Sequence, residues 1–149
     1  MGSIGDKAEE LFRQGYNCAQ SVFGAAAEYL DMDFNSAVKV SSGFGGGMGR
    51  MREVCGALTG AFMAAGLKYG ESVVPSHDSK TALYKKIQEI AAAFKAENGS
   101  IICRELLGLQ GKDINPEPGK RTDEYYKKRP CVEMVRQAAE LVKTYILEE

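Results

Sequence analysis

What this 149-residue chain lacks narrows its function first. Its four cysteines form no C-x-x-C pair, so the usual local dithiol and the paired knuckles of a standard zinc site are both missing. There is one histidine, His77. Set between Ser76 and Asp78, it reads as part of a solvated loop at a helix start rather than as a partner for a cysteine. There is no basic surplus: 19 Lys and Arg face 20 Asp and Glu, for a net charge of −1, which gives no electrostatic reason to expect nucleic acid. No apolar run is long enough to cross a bilayer. The longest, Val54 to Leu67, reads as a buried core helix. Met1 to Glu10 carries acidic residues and no continuous apolar stretch of the secretory kind, and the Met-Gly start has Asp6 where a myristoylation site wants Ser or Thr. The expectation is a cytoplasmic protein without membrane insertion. In that reducing compartment permanent disulfides are disfavoured, so the cysteines point to redox chemistry, metal binding or plain burial as small hydrophobes.

What is present is an ordinary globular balance, 44% hydrophobic and 26% charged, with no repeat and no Ser/Pro-rich linker, which predicts one domain over 1–149. The periodicity predicts an all-α, compact bundle of about seven helices. Asp6 is placed to cap a first helix carrying Ala8, Leu11 and Phe12, ended by Gly15. Asn17 is placed to cap a second, with Ala19, Val22, Phe23, Ala26 and Leu30 on one face. A third is expected over about Phe34 to Ser42. A helix apolar nearly all round is predicted over about Val54 to Lys68, so it should lie at the centre. Along it Gly56, Gly60 and Ala64 form a smooth strip where a neighbouring helix or a cofactor can approach. The fifth helix starts at Asp78 or Ser79, carries Leu83, Ile87, Ile90 and Phe94, and stops at Gly99. Ser100 is placed to cap Ile101 to Leu107. In the polar segment Leu109 to Arg129, Thr122-Asp123-Glu124 ahead of Lys127-Lys128-Arg129 suits a short helix dipole. Pro130 begins the last helix, with Val132, Val135, Ala139, Val142 and Ile146 toward the core. No strand is expected.

In this register Cys18, Cys55, Cys103 and Cys131 all fall in first turns. Unpaired N–H groups and a partial positive charge there favour thiolate over thiol and should lower the cysteine pKa. Ahead of Cys55 runs Gly43-Phe44-Gly45-Gly46-Gly47-Met48-Gly49-Arg50, with five glycines in seven positions. It cannot continue a helix cheaply and makes a loop able to take positive φ. With neither Lys-Ser/Thr at Walker spacing nor a preceding strand, it is no P-loop. Gly45, Gly46, Gly47, Arg50 and Gly56 remain candidates for holding a cofactor, an anion or a cysteine sulfur. Arg104 beside Cys103 is a candidate to steady a thiolate, with a surface ion pair as the simpler account. Tyr125 and Tyr126 beside Lys127 are a candidate anionic contact or a solvated helix end. Met48 and Met51 are read as gap-fillers.

Tyr16-Asn17-Cys18-Ala19-Gln20-Ser21-Val22, the glycine segment, Cys55-Gly56-Ala57-Leu58-Thr59-Gly60, Cys103-Arg104-Glu105-Leu106-Leu107-Gly108 and Cys131 together resemble the C_GCAxxG_C_C family. Its members are small proteins described as redox-active, with four characteristic cysteines and a CGAxxG motif, whose genes often lie near transporter genes. The resemblance implies a redox role and hints at a link to transport or metals.

Three functions follow from the residues. The first is thiol/disulfide chemistry, as in a thiol oxidoreductase, with Cys18 and Cys55 the preferred reactive pair and Cys103 and Cys131 a second pair or an electron relay. The second is zinc or an iron–sulfur cluster held by the same four cysteines. The third is a non-enzymatic redox or metal sensor reporting to a redox partner or transporter-linked protein, with Leu109 to Arg129 as the responsive segment.

Overall fold

Ser3 starts the first helix. Its side chain accepts from the Asp6 amide while the Asp6 carboxylate accepts from the Ser3 amide, a reciprocal capping box. Asp6 is thus the third residue of the helix and not its cap, a correction to the sequence expectation. The computed structural model describes residues 2–108, 115–122, 125 and 130–148. The short helix expected over Thr122 to Arg129 lies largely outside them.

Among the described residues there are seven α-helices: α1 (Ile4–Gln14), α2 (Cys18–Ala27), α3 (Phe34–Val40), α4 (Gly56–Tyr69), α5 (His77–Asn98), α6 (Cys103–Leu106) and α7 (Cys131–Val142). Short 3₁₀ turns follow α2 and α3, and a π-helical turn, Lys143–Leu147, continues α7. The expected all-α architecture is what the chain adopts, with boundaries shifted by one to three residues. Asn17 caps α2 as its sequence suggests, with Gln20 completing a second capping box. Ser76 caps α5, whose first residue is His77, one or two residues earlier than expected. Gly15 and Gly99 end α1 and α5 in left-handed backbone. No helix among the described residues is long and apolar enough to cross a membrane.

α2 and α4 form the centre. Every residue of α4 from Gly56 to Ala61 is buried, as is every residue of α2 from Ser21 to Ala27, so neither helix has a wet face to set it by amphipathicity. What sets their separation is the small-residue strip. A Cβ on Gly60 would stand 2.8 Å from the Ala19 carbonyl oxygen and 3.0 Å from the Val22 Cβ. α1 and α7 close one side and α5 the other. Leu11, Phe12, Val135, Ala139, Val142 and Ile146 are buried from the first pair, and Ile90 and Phe94 from α5. Leu83 and Ile87 are partly buried against the same core.

Arg136 of α7 reaches α1, donating to Asp6 at 2.7 Å and Glu9 at 2.8 Å. The Arg136 hydrogen bond holds the Asp6 carboxyl below its usual range. Glu9 is lowered by its hydrogen bond from Arg13 and then by that from Arg136. Carboxyls depressed on folding stabilise the fold above their unfolded pKa and lose that contribution as pH falls through the folded value. In Arg136→Gln the stability gap from wild type should therefore be widest above about pH 4.5 and close as pH falls further; a gap independent of pH in denaturant titrations would exclude this linkage.

The glycine strip makes a sharper prediction. Gly60→Val should cost about 1–3 kcal/mol from overpacking the α2–α4 contact. Gly66→Ala, on the same helix with nothing within 4 Å of the added carbon, should stabilise by about 0.5–1 kcal/mol. Urea unfolding of both variants checks the pair, and equal effects would mean that clearance does not govern this contact.

Candidate functional site

The cap of α2 and the glycine loop are fitted to each other. Asn17 Nδ2 donates to the Ser42 carbonyl at 2.9 Å, and Gln20 Nε2 donates to the Val38 carbonyl at 2.8 Å. A Cβ on Gly45 would collide with the Asn17 side chain at 2.6 Å. Cys18, the first residue of α2, is thereby pressed against the loop and the start of α4. Its sulfur occupies the place that a side chain at Gly56 would need: a Cβ there would lie 2.4 Å from Cys18 Sγ.

The loop turns by a run of left-handed residues. Positive φ occurs at Gly46, Gly47, Met48, Gly49, Arg50 and Arg52. At the three non-glycine positions this costs about 1 kcal/mol or more each, strain that commonly marks functional segments. The run is closed by Arg50, Arg52 and Glu53 amides donating to the Gly45, Gly46 and Gly47 carbonyls at 3.1, 3.2 and 2.9 Å.

Beyond it, Val54 and Ile102 form an isolated antiparallel bridge. Cys55 N donates to Ile101 O at 2.8 Å and Cys103 N to Glu53 O at 2.6 Å. This two-residue link, which no strand-like pattern announces, sets the start of α4 beside that of α6. Cys55 becomes the N-cap of α4 rather than a first-turn residue. Cys103 is the first residue of α6, whose cap is Ile102. Ser100, the expected cap, instead accepts from the Ile102 amide and donates to Glu105. Cys131 follows Pro130 at the start of α7 as expected.

All four cysteines line one cavity of about 310 Å³, together with Gly45, Gly46, Gly47, Gly56, Arg50, Arg52, Arg121 and Tyr125. The sequence candidates among the described residues converge there, except His77 and Arg104; Tyr126 and Lys127 lie outside the described residues. His77 is exposed and pairs with Asp78. Arg104 points to the Arg52 carbonyl and to Glu53, so the ion-pair account of it holds. Met51 is exposed and fills no gap. Arg50 donates to the Asn115 carbonyl at 2.8 Å and to that of Glu117. Arg121 lies over the Phe12 ring, 4.1 Å from its centroid, and donates to the Phe12 and Tyr16 carbonyls. These two arginines tie the segment around Pro116 and Pro118 across the cavity.

One residue of the site was missed. Arg52 is 2% exposed, and its Nη1 stands 3.7 Å from Cys103 Sγ. The available signal was a second arginine between the glycine loop and Cys55, which looks like any surface charge until the loop folds inward.

The expectation of lowered thiol pKa values fails at two cysteines. Burial pushes the Cys18 thiol up by more than the Gly46 amide pulls it down, and charge on Cys103 pushes it the same way. Burial likewise raises Cys55, with Cys18 and Cys131 adding to the rise against the Leu58 and Ala57 amides. Losing water outweighs the few N–H groups a helix start offers. The couplings also link all four sulfurs, so each thiolate opposes the next. All four are free thiols. Among the described residues no three Cys, His, Asp or Glu side chains are grouped to hold a metal ion.

The profile of a family described as "Putative redox-active protein (C_GCAxxG_C_C)" matches residues 16–145. A protein of Archaeoglobus fulgidus named "Uncharacterized protein" is 30% identical over 147 residues, covering 94% of this chain and 91% of its own. No solved structure matches.

Gly56→Ala should displace the Cys18 sulfur while improving local helix propensity. Site-resolved iodoacetamide labelling should then show an altered rate at Cys18, with the helical circular dichroism kept. An unchanged rate would mean that the sulfur does not depend on that clearance.

Proposed function

This chain belongs to the C_GCAxxG_C_C family, and we propose that its redox activity is thiol–disulfide exchange by the cysteines of the glycine-loop cavity. The observation that carries the reading is that Cys18, Cys55, Cys103 and Cys131, far apart in sequence and without a C-x-x-C, line the same cavity. A dithiol gives up two protons and two electrons to an oxidant and becomes a disulfide. Both resting forms are neutral, which suits sulfurs whose burial and mutual repulsion oppose a build-up of thiolates. Cys18 feels charge on Cys103, and Cys55 feels charge on both Cys18 and Cys131. The pair preferred from sequence, Cys18 with Cys55, and the pair Cys18 with Cys103 are the two bridges this reading places at Cys18. Arg50, Arg121 and the loop glycines shape the wall.

The test is thiol counting on protein purified anaerobically, before and after a mild disulfide oxidant. Native and denatured masses should show no added metal and four thiols at first, then the loss of two hydrogens per bridge, restored by reductant. Peptide mapping should place Cys18 in a bridge, and Cys18→Ser should lose that bridge. Stoichiometric metal in the purified protein, or thiol reactivity unaltered in both Cys18→Ser and Cys55→Ser, would sink the reading.

A further inference from the structure

Four thiols in one cavity do not attack equally. The thiolate is the nucleophile, so the attacking cysteine should be the one whose sulfur faces the strongest fixed positive charge. The Cys18 and Cys55 sulfurs are met by backbone amides, which carry partial charges. Cys103 Sγ instead faces the Arg52 guanidinium at 3.7 Å, a full charge that does not titrate in proteins. Arg52 as a whole is 2% exposed, so water screens the attraction little.

The placement is enforced from several sides. The Arg52 backbone is left-handed, at φ 61°. Its amide donates to the Gly46 carbonyl at 3.2 Å, and its carbonyl accepts from the Arg104 amide at 3.4 Å. Gly47 leaves room for the Cys103 side chain, since a Cβ at 47 would stand 2.6 Å from Cys103 Cβ.

We propose that Cys103, held against the buried guanidinium of Arg52, is the attacking cysteine toward a small disulfide, and that Cys18 is the resolving cysteine. The proposal rests on the thiol–disulfide reading above. The Cys103 thiolate attacks one sulfur of the substrate R–S–S–R. A Cys103–S–S–R bond forms, the substrate bond breaks, and R–S⁻ leaves and takes up a proton. Cys18 then loses its proton and attacks the Cys103 sulfur, forming Cys18–S–S–Cys103 and releasing the second R–S⁻, which is protonated in turn. Two thiols are oxidised and one substrate disulfide is reduced to two thiols. Cys103 is only 8% exposed, so the substrate must be small enough to enter the cavity.

The experiment traps the intermediate. Cys18→Ser, treated with bis(2-hydroxyethyl) disulfide and digested without reductant, should carry the adduct on Cys103, and wild type should yield a Cys18–Cys103 cross-link. An adduct on Cys55 or Cys131, or a wild-type bridge that omits Cys103, overturns this assignment while leaving thiol–disulfide chemistry standing. No adduct and no bridge overturns both. Arg52→Met and Arg52→Lys carry the same left-handed backbone cost and separate charge from folding. At neutral pH, Cys103 alkylation relative to Cys131 should fall several-fold in Arg52→Met and be largely kept in Arg52→Lys. A general loosening would raise labelling at every cysteine, so equal Cys103 ratios in wild type and Arg52→Met would refute the role of the charge.

Discussion

The closeness of α2 to α4 is the constraint on which the rest depends. The two helices meet through positions that have no side chain: Gly60 lies under the Ala19 carbonyl, and Gly56 lies under the Cys18 sulfur. Because the start of α2 is pressed onto the start of α4, its cap Asn17 meets the glycine loop that feeds α4, and Gly45 must be bare to admit it. The loop then has to turn sharply, which it does through positive φ at Gly46, Gly47 and Gly49 and, at greater cost, at Met48, Arg50 and Arg52. The last of these turns carries Arg52 into the interior. A contact between two small-residue helices thus determines where a buried charge ends up.

The same closeness sets the electrostatics. A helix N-terminus lends a cysteine partial positive charge, but the effect is modest and falls off within a turn. Taking the sulfur out of water acts on the thiolate directly and is larger. At Cys18 and Cys55 the two effects compete on one atom and desolvation prevails. At Cys103 the added partner is a whole guanidinium. Four cysteines that look equivalent as helix-start residues are therefore distinguished by what is packed against each sulfur.

Most of the helices were legible because their signals are local. The Asn17 cap, the ends at Gly15 and Gly99, the stripe through Ile90 and Phe94 and the all-round apolar character of α4 each lie within a turn or two of chain. The misplacements have local rivals. Ser3 competed with Asp6 for one cap and won by forming the full box, while Ser100 was drawn to Ile102 and Glu105 and left α6 to begin at Cys103. The Val54–Ile102 bridge had no signal, since a single paired residue on each side has no periodicity to reveal it. Arg52 was missed for the opposite reason: its chemistry was visible but its burial was not.

By itself the sequence determined the helical class, the centrality of α4 and the small-residue strip, because spacing and residue size along one segment suffice for these. It also singled out four cysteines near helix starts, as a matter of capping and proline position. Only the tertiary structure decided that the four share a cavity, that burial reverses the expected thiol shift at Cys18 and Cys55, and that Arg52 rather than Arg104 faces Cys103. Each of those depends on the distance between atoms far apart in the chain and on the water removed between them, and neither quantity is written in any local stretch of residues.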